Sequence, residues 1–166
     1  MAMDRITSFR IRLEPVIRRI MHFYWRFSRG ATLGVRAVII DGENRVFLVK
    51  HGYVRGWHLP GGGVETGESF LEALKRELRE EANIELSARP ALHGIVHNEH
   101  VSKRDHVAVY VVRDFRIVGP PPRDGFEIID SGFFQLDGLP EDCWMGTRAR
   151  IEEVLSGKPA AERWLT

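Results

Sequence analysis

Apolar positions change their period along the chain, and each change marks an element. Between residues 12 and 28, Leu13, Ile17, Ile20, Tyr24 and Phe27 recur at three- and four-residue steps, which predicts an amphipathic helix with one apolar face. Pro15 suits its first turn and Gly30 its end, and Arg18, Arg19, Arg26 and Arg29 fall mostly off the apolar stripe. From Thr32 the pattern turns to strands. Val35–Ile40 is rich in β-branched residues, Asp41-Gly42-Glu43-Asn44 is turn chemistry, and Arg45–Val49 is the expected hairpin partner. A strong helical pattern follows over about 67–82, where Asn83 can take the left-handed conformation that ends a helix. Two more strands are expected at about 91–100 and 106–115, then a loop over Pro120–Gly125 and a short strand at Gly132–Gln135. A final helix is expected at about 146–156, with Ile151, Val154 and Leu155 turned inward. Strands without regular βαβ alternation, with two helices inserted, predict an α/β (α+β) fold in which a mixed β-sheet lies between helices.

Composition narrows the class. The 166 residues suit one domain, and 43% hydrophobic with 28% charged residues is a folding mixture rather than a disordered one. The single cysteine, Cys143, excludes an intrachain disulfide framework and a Cys-cluster zinc site, and makes a reducing, cytoplasmic location the expectation. No apolar run approaches the ~20 residues of a membrane span, and arginines interrupt every stretch that could serve as a secretory signal. The net charge of +1 points to no particular partner, but it is unevenly spread. Seven arginines against Asp4 and Glu14 give residues 1–30 a basic excess. The expected organisation is therefore a basic helical extension over 1–30, a main folded domain over 31–157 and a tail over 158–166. An Arg-rich amphipathic helix can contact anionic lipid or RNA, or can pack on the domain or on a second copy of the chain as a homodimer; packing is the simpler expectation.

The chemistry concentrates between Trp57 and Ile84. Glu77, Glu80 and Glu81 are spaced i, i+3, i+4, at about 0°, 300° and 40° on a helical wheel. Leu71, Leu74, Leu78 and Ala82 centre near about 100° on the same wheel, so a carboxylate face and a core face lie side by side. Alone, this pattern describes a solvated acidic face with Arg76 and Arg79 as partners. Three clustered carboxylates also suit a hard divalent cation, Mg²⁺ or Mn²⁺. The preceding Gly61-Gly62-Gly63 adds weight, because glycines let the backbone approach a phosphate or metal closely.

Gly62, five residues, Glu68, seven residues, then Arg76-Glu77-Leu78-x-Glu80-Glu81-x-Asn83-Ile84 resembles the signature box of the Nudix hydrolases, G-x5-E-x7-R-E-U-x-E-E-x-G-U. Eight of nine specified positions match, and Asn83 replaces a glycine that caps the helix. The resemblance implies a Nudix-type α/β/α sandwich and a Mg²⁺- or Mn²⁺-dependent hydrolase of a nucleoside diphosphate linked to another moiety. It implies Glu77, Glu80, Glu81 and the Gly62 carbonyl as metal ligands, Arg76 as the residue orienting a box carboxylate, and Glu68 as the tie between loop and helix. The general base is left between Glu77 and the later Glu127. Gly61, Gly62, Gly63 and Trp57 are the expected contacts to a small-molecule nucleotide, with Phe133 and Trp144 as further aromatics able to stack on a base. His93, His97, His100 and His106 do not form a metal pair by spacing; contact with a substrate loop is the most they suggest. A proline about 15 positions past the box tends to mark ADP-ribose hydrolases, and a tyrosine 17–18 positions past it dinucleoside polyphosphate hydrolases; this chain has neither. A nucleotide-sensing module without activity is the alternative, disfavoured because all three box carboxylates are present.

Overall fold

The computed structural model describes residues 17–21, 23, 24, 30–122 and 127–165. The chain divides into two units, Met1–Ala31 and Thr32–Thr166. In the first, residues 17–21, 23 and 24 are helical, while Leu13 and Phe27 of the expected stripe, and Arg26 and Arg29 beside it, lie outside the described residues. No helix among the described residues is long and apolar enough to cross a membrane.

The second unit runs β1 (Thr32–Ile39), β2 (Val46–His51), β3 (Trp57–His58), α1 (Phe70–Ala82), β4 (Ile84–Leu86), β5 (Ala91–His97), β6 (Asp105–Val112), β7 (Phe115–Ile117), β8 (Ile128–Phe134), a 3₁₀ turn and α2 (Met145–Leu155). The strands form three sheets, ordered β1-β6-β5, β3-β2-β8 and β4-β7. In the first, β1 runs parallel to β6 and β5 antiparallel to it, so the sheet is mixed.

Alternation along the strands builds two cores. Val35, Ala37 and Ile39 of β1 join Phe47, Val49, Ala108 and Val112 against Ala73, Leu74 and Leu78 of α1. Val38 and Ile40 join Val46, Leu48, Val107 and Val109 against Ile151 of α2. Successive residues of a strand face opposite ways, so the two helices cover opposite faces of the same strands. Fully buried leucines such as Leu74 and Leu78 contribute about 1.5–3 kcal/mol each by burial.

One expectation fails here. Arg45–Val49 is not the hairpin partner of Val35–Ile40. The Asp41–Asn44 turn forms, but the two strands join different sheets, and their backbones pair at an isolated Ile40–Val46 bridge rather than along a ladder. The cause is the glycine-rich segment, which occupies the free edge of β1. Val35 N–H donates to Gly62 O and Ala37 N–H to Pro60 O, both at 2.9 Å, and Val64 N–H donates to Leu33 O at 2.8 Å. With that edge closed, β2 turns to β8 and β3.

Helix α1 starts later than the apolar period suggests. Ser69 is its N-cap in a reciprocal capping box with Glu72, which leaves Glu68 outside the helix. Asn83 ends it at φ 50° and ψ 41°, the left-handed cap that glycine would otherwise supply. The expected tail is also integrated into the body. His97 N–H donates to Glu162 O at 2.9 Å and Trp164 N–H to His97 O at 3.0 Å, and Trp164 is buried in the α2-side core.

Gly146 in α2 has no room for a side chain, because a Cβ there would collide with the indole of Trp164. Helix propensity alone would make Gly146→Ala stabilising by about 1 kcal/mol. The buried clash reverses that sign, so the variant is expected to be less stable by about 1–3 kcal/mol. Urea midpoints measure it; an unchanged or raised midpoint would show that the strap does not pack as described.

Candidate active site

The site forms where the glycine-rich segment is pinched between β1 and α1. Gly61 has φ 137°, and a Cβ there would strike the Val35 carbonyl. At Gly62 a Cβ would strike the Glu77 carboxylate. Only a backbone free of side chains fits between strand and helix, which explains two adjacent glycines. Gly61 N–H donates to Glu81 Oε2 at 2.7 Å, tying the loop to the helix. Gly63 is open on its Cβ side, but its carbonyl accepts from Arg76 Nη2 at 2.9 Å.

Arg76 is the hub of the acidic face. Nε reaches Glu68 Oε1 at 2.9 Å and Nη2 reaches Glu68 Oε2 at 3.0 Å, a bidentate pair. Nη1 bonds Glu77 Oε1 at 2.7 Å and Glu80 Oε2 at 3.3 Å. Glu68 also accepts from Glu65 N–H at 3.0 Å. The Arg76 bonds first, and this N–H second, hold Glu68 down at about 2.

The three box carboxylates divide into two environments. Glu77 and Glu81 are buried, whereas the Glu80 side chain is 60% exposed and held sideways by Arg76. Burial pushes Glu81 up to about 7, against the opposing pull of Arg36 and the Gly61 N–H. Burial also raises Glu77, opposed by Arg76. Among the described residues no three His, Cys, Asp or Glu side chains gather into one cage. The donor set nevertheless suits a hard divalent cation. All its atoms are oxygens, two carboxylates are desolvated and raised by burial, and Mg²⁺ characteristically needs only one or two carboxylates plus water or phosphate. The Gly62 carbonyl already accepts from Val35 N–H and has one further lone pair to offer.

A cavity of about 570 Å³ opens beside these groups. Thr32–Arg36, Gly62, Gly63, Arg55, His58, His100, Trp144 and Trp164 contribute to its wall. The His100 and Trp144 rings lie 5.3 Å apart, and those of His58 and Trp144 6.3 Å apart. Trp57 does not line it: this residue, expected against substrate, is packed in the core with its ring 4.8 Å from that of Phe134. Phe133 likewise packs inward, against Phe47 and Phe115. Of the histidines, His97 stacks on His106 at 5.0 Å, and His93 pairs with Glu153 at 3.1 Å. His100 lies in a turn rather than on a strand, and it alone of the four lines this cavity. Glu127 is exposed at the approach to β8, its carbonyl accepting from Gly52 N–H at 3.1 Å. Its charge contributes to raising both Glu81 and the cavity residue Tyr53. The neighbouring residues 123–126, part of the expected proline-rich loop, lie outside the described residues.

Sequence reading missed Arg36 and His51. Arg36 is half-buried in β1, and its charge acts on Glu81, Glu77, His51 and His58. His51 is buried with Nε2 3.5 Å from Glu81 Oε1, and it also interacts with the Glu127 backbone. Burial lowers its pKa to about 4, so at neutral pH it is an uncharged neighbour of the carboxyl rather than an ion-pair partner. The available signal was a polar residue interrupting each of two otherwise apolar strands.

The chain is similar to known proteins in sequence and in fold. The NUDIX domain family model matches residues 30–153. An ADP-ribose pyrophosphatase from Methanocaldococcus jannaschii is 30% identical over 106 residues, an alignment covering 62% of each chain. An RNA pyrophosphohydrolase from Pelagibacter ubique is 42% identical over 53 residues, covering 31% of this chain and 34% of that protein. The chain thus spans less than two thirds of these relatives' lengths. A MutT NUDIX hydrolase from Burkholderia pseudomallei has a similar structure, with a TM-score of 0.64 and 29% identity over 75% of this chain and 98% of that one. An ADP-ribose pyrophosphatase from Streptococcus suis matches with a TM-score of 0.59 and 25% identity, over 76% and 92% of the two chains.

The Arg76–Glu68 pair makes stability depend on acid. The Glu68 pKa is depressed from 4.5 to about 2, so its contribution is complete above about 4.5 and is lost as pH falls toward 2. Glu68→Gln is expected to lower stability at neutral pH and to flatten the stability profile across that window. Urea titrations at fixed pH values test this; parallel acid limbs for the two proteins would contradict it.

Proposed function

The chain belongs to the NUDIX domain family, and on that premise we propose that it hydrolyses a phosphoanhydride bond of a nucleoside diphosphate linked to another moiety, using Mg²⁺ or Mn²⁺. The observation that carries this reading is the meeting of the Gly61–Gly62 backbone with buried Glu77 and Glu81 beside a cavity of nucleotide size, about 570 Å³.

In this reading Glu77, Glu81, Glu80 and the Gly62 carbonyl hold the cation. When bound, the cation neutralises diphosphate charge, polarises a phosphoryl oxygen and lowers the pKa of the attacking water. Arg76 opposes the effect of burial on Glu77 and orients its carboxylate, and Glu68 in turn orients Arg76. Arg36 and Arg55 line the cavity and offer positive charge to the diphosphate, and Gly62 and Gly63 admit it to close backbone contact. His58, His100 and Trp144, whose rings lie near one another in the cavity wall, offer flat faces to the base in the role first assigned to Trp57.

For the general base we favour Glu127 over Glu77. One Glu77 oxygen is committed to Arg76 at 2.7 Å and the residue is buried against the Gly62 cradle. Glu127 is exposed to water and near enough to act on Glu81. A small nucleotide is favoured over RNA as substrate, because the RNA pyrophosphohydrolases match only a stretch of 53–57 residues.

Glu81→Gln keeps an oxygen to accept the Gly61 N–H but removes the charge. It is expected to lower turnover by about 10²–10⁴-fold at saturating Mg²⁺, the scale of a lost metal ligand worth several kcal/mol. The assay is hydrolysis across dNTPs, oxidised dNTPs, ADP-ribose, NADH, nucleotide sugars, dinucleoside polyphosphates and capped RNA, with products identified by mass. Nucleotide binding without turnover on any of them would favour a sensing module.

A further inference from the structure

Most cations of the second unit have a partner. Arg45 pairs with Asp41, Arg76 with Glu68, Arg79 and Arg116 with Glu85, and Arg163 with Glu99. Among the described residues of the second unit, the arginines and lysines that show neither an ion pair nor a side-chain hydrogen bond fall into three places. Arg55 lines the first cavity. Lys75, Lys103 and Arg104 lie exposed on α1 and on the β5–β6 turn. Arg89, Arg113 and Lys158 surround a second cavity, of about 450 Å³.

The second cavity is a separate place. The β1–β6 register runs from Thr32↔Asp105 to Ile39↔Val112. Thr32 and Asp105 line the first cavity, and Val111 and Val112 the second. Val35, Arg36 and Val107 line the first cavity too, so the two walls come within a few residues of each other along the strands, but they share no lining residue and open toward opposite ends of the sheet. Arg89 comes from the turn before β5, Arg113 from the end of β6 and Lys158 from the segment after α2. Three separate stretches of chain therefore bring positive charge to one concavity.

Negative charge there is scarce. Asp114 is the one acid in the wall. The nearby Glu153 faces inward, where it pairs with Arg150 at 2.5 Å and His93 at 3.1 Å and accepts from Ala161 N–H at 3.2 Å. The apolar part of the wall includes Val111 and Val154, which pack on the α2-side core. Guanidinium and ammonium groups gathered without a counterion favour an anion, and the planar fork of arginine matches phosphate oxygens.

The geometry points to a second binding site, for a phosphate-bearing small molecule, with its phosphate among Arg89, Arg113 and Lys158 and its less polar part on the apolar part of the wall. This site stands whether or not the first cavity hydrolyses a nucleotide. The apolar part of the wall makes a nucleoside monophosphate a better occupant than an inorganic anion.

The test is calorimetric titration of the full chain with AMP and with inorganic pyrophosphate, in EDTA so that no divalent cation supports binding at the carboxylates. Saturable binding of AMP, at least about tenfold weaker in Arg113→Ala and in Arg89→Ala/Lys158→Ala, is expected, with AMP bound more tightly than pyrophosphate. The three residues are exposed, so these substitutions leave the core intact, which circular dichroism checks. Arg55→Ala and Lys103→Ala/Arg104→Ala are expected to bind AMP as the parent does. Loss in Arg55→Ala would place the ligand in the first cavity. An equal loss in Lys103→Ala/Arg104→Ala would reduce the effect to diffuse charge. Either result, or no binding of either probe at millimolar concentration, overturns the proposal.

Discussion

The edge of β1 is the constraint from which the rest of this structure follows. A strand edge carries unpaired N–H and C=O groups that must be matched. Here β6 takes one edge of β1 and the segment Pro60–Val64 takes the other, through Val35, Ala37 and Leu33. That closure sends β2 to another sheet. It also draws the glycine-rich backbone so close to β1 and α1 that side chains are excluded at Gly61 and Gly62. Glu77 and Glu81 are buried because the same backbone lies across them.

Burying two acids on one helix is unfavourable unless something answers their charge. The protein answers unequally. Arg76 binds Glu77 tightly and Glu80 loosely, and Glu68 holds Arg76 from the other side. Glu81 receives one backbone N–H and the field of Arg36, which is not enough to offset its burial. The carboxyl without an arginine bonded to it is therefore the more deeply buried of the two, next to an uncharged His51.

The same sheet holds both cavities apart. One lies where β1 and β6 begin, beside the carboxylates; the other lies where they end, among unpaired cations. The C-terminal strap runs between them along β5, from Lys158 at the second cavity to Trp164 in the wall of the first. Its ordering rests on burial of the Trp164 ring against α2 and on bonds to His97.

Much of this was legible in the amino-acid order alone, wherever the information is local. The period of Leu74 and Leu78, the Glu77–Glu80–Glu81 spacing, the cap at Asn83 and the coupling of Gly62 to that helix are read over a few residues. They specify α1, its acidic face and the kinship that the family match bears out. Only the tertiary structure decided what meets what across the chain. It replaced the expected β1–β2 hairpin with a loop on the edge of β1, withdrew Trp57 into the core, and brought Trp144, Trp164 and His100 to the cavity. It also set Arg36 and His51 against Glu81, and gathered Arg89, Arg113 and Lys158. Periodicity reports which face of an element is apolar. It carries no record of which distant strand will satisfy a free edge, and that choice places every residue beyond the local motif.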